Sequence, residues 1–339
     1  MAKKLLIGAA WTLAVLVLVF GALCFWASHE LDRYASTPAT MDAGIVTFVV
    51  RSGQGVSEIS HRLGAEGIIR QPLVFRIFSR LNGFDSKIKA GEYRFSATMS
   101  PADILENLVK GKVALYRLTI PEGYTMLQIA ELVGGSGITG RGVFLEALSD
   151  RKLMARLDIA AESFEGYLFP DTYFFPKDTA AETIISTLAS RFQSVMTSRR
   201  LERAREIGLS VHEVVTLAAI IEKETGAAQE RPVISSVFHN RLKRGMRLES
   251  DPTVIYGIEG FDGNITRKHL AEQTPYNTYQ IKGLPVGPIA NPGEASIEAV
   301  LFPANTDYLY FVAKKDGTHQ FSTNITDHNR AVAKYQLNR

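Results

Sequence analysis

The run LAAIIEKETG, residues 217–226, closes an apolar helical pattern on two carboxylates with a lysine between them. A carboxyl held among apolar groups loses the hydration of its charged form, so its pKa rises and it keeps a proton near neutrality. Such a group can protonate a leaving-group oxygen as a general acid. With 211–225 on a helix at about 100° per residue, Glu222 lies within roughly 40° of Val211, Val215 and Ala218. It therefore emerges from the apolar stripe, beside the small Ala218 and Ala219. Glu224 falls near Glu213 and borders the arc of His212, Thr216 and Lys223, the address of a solvated side chain. The pattern makes Glu222 the candidate proton donor. A buried ion pair with Arg231, Arg241 or Arg247 fits the same pattern, and helix geometry leaves the two readings level.

Other chemistries find little support. The seven histidines are scattered, with no His-Glu-x-x-His or His-x-x-Glu-His spacing, so no metal site is expected. No Gly-x-Ser-x-Gly elbow is present and no glycine loop has phosphate-cradling spacing. The single cysteine, Cys24, excludes an intramolecular disulfide. A net charge of +3 without blocks of one sign gives no argument for nucleic acid. Loop-like sequence does carry groups suited to sugar hydroxyls and ring faces. These are Asp251, Thr253 and Tyr256 in DPTVIYG, Tyr276 and Asn277 in YNTY, and Asn291 in ANPG. Turn formation explains the same residue types, since Asn and Asp before Pro or Gly make turns without any ligand.

At 339 residues and 46% hydrophobic, the chain is long enough for more than one core. An uncharged run from Leu5 to Ser28 exceeds the roughly 20 apolar residues that cross a bilayer, and also the roughly 7–15 of a cleavable signal. Lys3 and Lys4 precede it, which predicts residues 1–4 in the cytoplasm, a membrane helix over 5–28 and everything beyond it outside. Residues 29–44 read as a polar linker. Two related units follow. IVTFVVRSGQGVSEISHRLGAEGII and LYRLTIPEGYTMLQIAELVGGSGIT share the order strand, glycine turn, helix, Gly-Ile, and pair Gly53 with Gly123, Ile59 with Ile129, Gly67 with Gly137 and Ile68 with Ile138. Between them, Ser100 ahead of Pro101 reads as a helix cap. Helices dominate about 179–244, and 249–294 is rich in turns. The expected class is α+β: one membrane helix, an accessory region over 45–150, and a helix-rich domain with short strands over 151–339.

Several long stretches carry a resemblance. IIEKETG, EGYLFPDTYFF, RLKRGMRLESDPTVIYG, YNTYQIKGLPVGPIANPG and LYFVAKKDGTHQFSTNITDHN are similar to the MltG (YceG-like) endolytic murein transglycosylases. The resemblance implies a LysM-like accessory region and a catalytic domain that cleaves peptidoglycan strands internally, after N-acetylmuramic acid, leaving 1,6-anhydro ends. It sets the catalytic glutamate on Glu222 and requires no cofactor. It also implies a single-pass protein of the cell inner membrane with a periplasmic catalytic domain, acting on nascent strands, with peptidoglycan synthases as candidate partners. Two other readings remain: a non-catalytic peptidoglycan-binding scaffold, and a hydrolytic muramidase with Glu222 as acid and Asp251 as base.

Overall fold

The computed structural model describes residues 2–41, 44–258 and 260–337, and the side chains of 1–7 and 9 lie outside that description. The expected cytoplasmic Lys3 and Lys4 side chains, and Asp42 and Ala43 of the expected linker, are therefore not described. The fold is α+β, with two compact units, Met1–Leu115 and Tyr116–Arg339.

The first unit begins with α1 (Ala2–Ser36), whose span Ala10–Ser36 is long and apolar enough to cross a membrane. The helix extends beyond Ser28 because SHELDRYAS lacks a breaker and Arg33 pairs with Glu30 one turn back. Half of the expected linker is thus helix, and Pro38 follows its end. Next come β1 (Ile45–Val50), α2 (Val56–Ala65), α3 (Pro72–Leu81), β2 (Gly91–Ser96) and α4 (Pro101–Lys110). Strands β1 and β2 pair antiparallel, from Ile45 opposite Ser96 to Val50 opposite Gly91. Their inward residues Phe48, Tyr93 and Phe95 meet Ile59, Leu63, Phe75, Ile104 and Leu108 in one core. Ser100 caps α4 as expected, its hydroxyl accepting from the Asp103 amide, with Pro101 in the first turn.

The second unit opens with β3 (Leu115–Thr119), α5 (Met126–Gly135), α6 (Arg141–Leu148), α7 (Arg151–Arg156) and β4 (Thr172–Pro176), with β3 beside β4. The paired positions of the two related units adopt matching conformations. Gly53 and Gly123 both have positive φ, 83° and 74°, at the strand-to-helix turn, while Gly67 and Gly137 sit at 72° after the helices. The four matched isoleucines are all fully buried. The copies nevertheless serve different cores. Leu118, Ile120, Ile129 and Ile138 pack with Phe164, Leu168 and Val214 in the second unit. The chain therefore divides near residue 115, ahead of the coarse boundary expected near 150.

The remaining elements are α8 (Ala181–Val195), α9 (Ser198–Glu206), α10 (Val211–Glu224), α11 (Arg231–Lys243), α12 (Asp251–Tyr256), α13 (Arg267–Ala271), α14 (Glu294–Leu301), the antiparallel pair β5 (Tyr310–Ala313) and β6 (His319–Ser322), and α15 (Ile325–Tyr335). Helix α10 is the spine. A capping box starts it, with Ser210 accepting from the Glu213 amide and the Glu213 carboxylate accepting from the Ser210 amide. Every residue from Val214 to Ile221 is buried, and α9, α11, α12 and α14 all contact the helix. A helix enclosed on all sides has no outer stripe, so its periodicity cannot tell which end residue faces a site.

Candidate active site

Helix α10 ends on Glu224, which lies at a cavity of about 520 Å³. The Ser250 hydroxyl donates a short hydrogen bond to Glu224 Oε1. Burial pushes the Glu224 carboxyl up to about 7, and the nearby charge of Asp251 adds to the rise. The Ser250 bond and the Arg241 guanidinium pull the other way. Burial wins, and Glu224 holds a proton near neutrality. It is thus not the solvated carboxylate its helical-wheel position suggested. The 249–251 turn and β5–β6 come back over the end of α10, and no local pattern encodes that.

The cavity around Glu224 is lined from several directions. Glu249 turns the chain at φ 51°, a region uncommon for a non-glycine residue. Its amide donates to Thr278 O at 3.3 Å, and its carboxylate accepts from Arg241 at 3.1 Å. Arg241 is buried, bonded to the carbonyls of Arg247, Leu248 and Leu309 at 2.7–3.1 Å. It also lies 5.2 Å from the Tyr310 ring centroid, and His328 stacks on that same ring. Asp251 accepts from the Tyr279 hydroxyl at 2.7 Å. On another wall, Glu230 clamps His319, accepting from its amide at 3.0 Å and meeting Nδ1 at 2.6 Å. The site therefore offers one protonatable carboxyl, Glu224, and two exposed-side carboxylates, Glu249 and Asp251.

Glu222 points elsewhere. Its Oε1 accepts from Arg231 Nη2 at 3.2 Å, while Oε2 accepts from the Gly293 amide at 3.0 Å and the Ser296 hydroxyl at 2.7 Å. Only 6% of its side chain is exposed, and it does not line the cavity. The Gly293 amide and Ser296 belong to the N-terminus of α14, so Glu222 caps that helix from outside, where a carboxylate also meets the positive end of the helix dipole. The ion-pair alternative raised from the sequence is the arrangement present, with Arg231 as the partner.

The other expected contact residues divide into four groups. Asp251 lines the cavity. Thr253 is buried just behind it, donating to Ser250 O at 2.6 Å and lying 2.8 Å from the Thr278 hydroxyl, and so braces the residue that bonds Glu224. Tyr256, Tyr276 and Asn291 gather instead around Glu165. The Tyr256 hydroxyl and Asn291 Nδ2 donate to Glu165 at 3.1 and 3.0 Å, the Met126 amide joins them, and Tyr276 packs edge-on against Tyr256. Burial pushes Glu165 up to about 7 despite these bonds. Asn277 is spent on the chain, its amide donating to the carbonyls of His269, Leu270 and Glu272 while its Oδ1 accepts from the Tyr279 amide. Asn291 likewise uses both ends of its amide internally, so neither asparagine has a group free for substrate. Turn and core chemistry account for Asn277 and Asn291, whereas the half-buried Tyr256 and Tyr276 stand beside Glu165 rather than at the Glu224 cavity. Sequence reasoning set Glu224 aside as solvated, took Arg241 only as a possible ion-pair partner, and gave no place at the cavity to Ser250, Glu230 or His319. The only local signal was the helix stop at Glu224-Thr225-Gly226.

A helix-rich α+β unit that delivers one protonatable carboxyl to a carboxylate-lined cavity defines a protein equipped for acid–base chemistry on a bound ligand. The chain belongs to the YceG-like family, whose model matches residues 48–334. It is 34% identical over 306 residues to an endolytic murein transglycosylase of Bacillus subtilis (strain 168), covering 86% of this chain and 84% of that protein. A protein of the same description from Streptococcus pneumoniae serotype 2 is 31% identical over 329 residues, and the match spans 58% of its length. A crystal structure of a YceG-like protein from Listeria monocytogenes matches with a TM-score of 0.60 at 34% identity, covering 85% of this chain and 99% of that one.

Proposed function

We propose that this chain is a membrane-anchored, endolytic lytic transglycosylase of peptidoglycan with Glu224 as its acid–base carboxyl. Relatives named endolytic murein transglycosylase at 34% and 31% identity make it a lytic transglycosylase, a lyase acting on peptidoglycan strands. The observation that carries the assignment of the acid is the contrast between the two glutamates. Glu224 is held near a pKa of about 7 at a cavity, whereas Glu222 is bonded on both oxygens away from it.

In the mechanism, the Glu224 carboxyl gives its proton to the glycosidic oxygen between N-acetylmuramic acid and N-acetylglucosamine as that bond breaks. Positive charge develops at the muramyl anomeric carbon, within the field of Asp251 and Glu249. The Glu224 carboxylate then takes the proton of the muramyl 6-hydroxyl while its oxygen bonds to the anomeric carbon. The 1,6-anhydro ring closes, the acid is regenerated, and no water is consumed. The nucleophile is tethered to the reacting carbon, so ring closure has the advantage of an intramolecular step. One protonatable carboxyl suffices, where hydrolytic glycosidases need two in fixed geometry.

Helix α1 supports a single-pass anchor in the cell inner membrane. Lys3 and Lys4 ahead of its apolar run orient the N-terminus to the cytoplasm and the cavity to the periplasmic side. An enzyme held there meets nascent strands beside the synthases that make them, and its cuts set where elongation stops. The accessory region expected over residues 45–150 is the LysM-like candidate for holding the strand. Mass spectrometry of strands released from purified sacculi tests the reaction. New ends one water lighter than a reducing muramic acid are expected. Hydrated ends would make the protein a muramidase with Asp251 as base, and an absence of new ends would leave a scaffold.

A further inference from the structure

Helix α3 is apolar on two opposite faces. Phe75, Phe78 and Ser79 turn into the core of the first unit. Leu73, Ile77 and Leu81, spaced four residues apart and so aligned on the other face, are 61%, 45% and 70% exposed. Val74 completes that stripe, and Arg76 and Arg80 border it. A soluble helix ordinarily keeps one apolar face, so the second one needs a cover.

The position of α3 identifies that cover. The Tyr34 hydroxyl on α1 donates to Gln71 O at 3.1 Å, which fixes the N-terminal end of α3 beside the last turn of α1. At the other end, Ile77 and Leu81 share a groove of about 670 Å³ with Cys24, Trp26 and Ala27 of α1. The two helices thus run side by side in opposite directions. Trp26 lies about 12 Å along α1 before Tyr34, and α3 is about 14 Å long, from a rise of about 1.5 Å per residue. Trp26 belongs to the apolar span, at its outer end, where aromatic side chains anchor in the interface. Whatever depth Trp26 takes, Leu81 takes nearly the same.

We propose that the C-terminal end of α3 enters the outer interface of the bilayer that α1 crosses: Ile77 and Leu81 insert among lipid at the level of Trp26, Leu73 stands about 12 Å further out, and Arg76 and Arg80 reach the headgroups. The proposal rests on α1 being membrane-spanning. Lipid is the occupant because it already surrounds α1 at that level, and a protein partner would first have to displace it. Docking would hold the first unit against the membrane at two places and restrict its swing.

The full-length chain in vesicles of phosphatidylethanolamine and phosphatidylglycerol tests this. In a Cys24→Ser background, single cysteines replace Leu16, Ile77, Leu81 or the exposed Arg94 of β2, each labelled with an environment-sensitive fluorophore. Spin-labelled lipid is expected to quench the probes at 16, 77 and 81 and to leave 94 bright. Quenching at 16 with 77 and 81 behaving like 94 overturns the docking while the anchor stands. Probes at 77 and 81 shielded from both lipid and aqueous quenchers would assign the face to a protein partner and overturn it equally. Failure at 16 itself removes the anchor reading and the docking with it.

Discussion

Glu224→Gln is expected to abolish glycan cleavage by a correctly folded protein. General acid–base assistance is worth about 10²–10⁴ in rate, and in the proposed mechanism Glu224 serves in both directions, so the loss belongs at the upper end of that range. The fold survives, because glutamine keeps an oxygen for the Ser250 hydroxyl. Stability even improves at alkaline pH. The folded carboxyl, at about 7, lies above its ordinary value of 4.5, so its contribution is complete below pH 4.5 and is lost as pH rises through 7. Above that, the native state of the wild type carries a costly ionised group that glutamine lacks, a difference on the order of 1–3 kcal/mol. Glu222→Gln is expected to keep cleaving, since Glu222 does not line the cavity. Parallel digestions of sacculi with the two variants, alongside unfolding curves at pH 6 and pH 8, check both halves.

Arg231→Ala is expected to cost about 3–5 kcal/mol of stability, the scale for breaking a buried pair from one side. Arg231 and Glu222 are 11% and 6% exposed. Removing the guanidinium leaves Glu222 without its countercharge and facing Glu122, whose carboxylate lies 4.0 Å from Arg231 and is already pushed up by burial and by Glu222. Glu222→Ala costs less, because Arg231 keeps Glu122, though the N-terminus of α14 loses its external cap. For a unit of this size the Arg231→Ala melting point drops on the order of 10 °C. Thermal unfolding of the full-length chain in detergent measures it. A drop in cleavage by Arg231→Ala that exceeds its loss of folded protein would contradict the purely structural role.

The difference between the glutamates shows where a sequence stops informing. The two strand–turn–helix units could be read because Gly53, Gly123, Gly67 and Gly137 mark backbone positions that disfavour a side chain, and the matched isoleucines mark the faces between them. The long apolar helix could be read from its composition, although its extension to Ser36 depends on helix-forming polar residues that resemble a linker. For the acid, the pattern favoured Glu222 over its neighbour Glu224. Helical periodicity assumes one apolar face and one wet face, and α10 has neutral surroundings all round until its last residues. What separates Glu222 from Glu224 is which distant segment arrives: the N-terminus of α14 with Arg231 for one, the Ser250 turn and β5–β6 for the other. The same holds for Asn277 and Asn291, whose residue types suit sugars and turns alike and whose donors the fold consumes.

The most direct measurement is the titration of the Glu224 carboxyl itself, by infrared difference spectroscopy of the wild type against Glu224→Gln from pH 4 to pH 9. A carbonyl band of a protonated carboxyl that persists to near neutrality and disappears around pH 7 is the expected result. Disappearance of that band below pH 5 would show an ordinary carboxylate, and Glu224 could not then be the group that protonates the glycosidic oxygen.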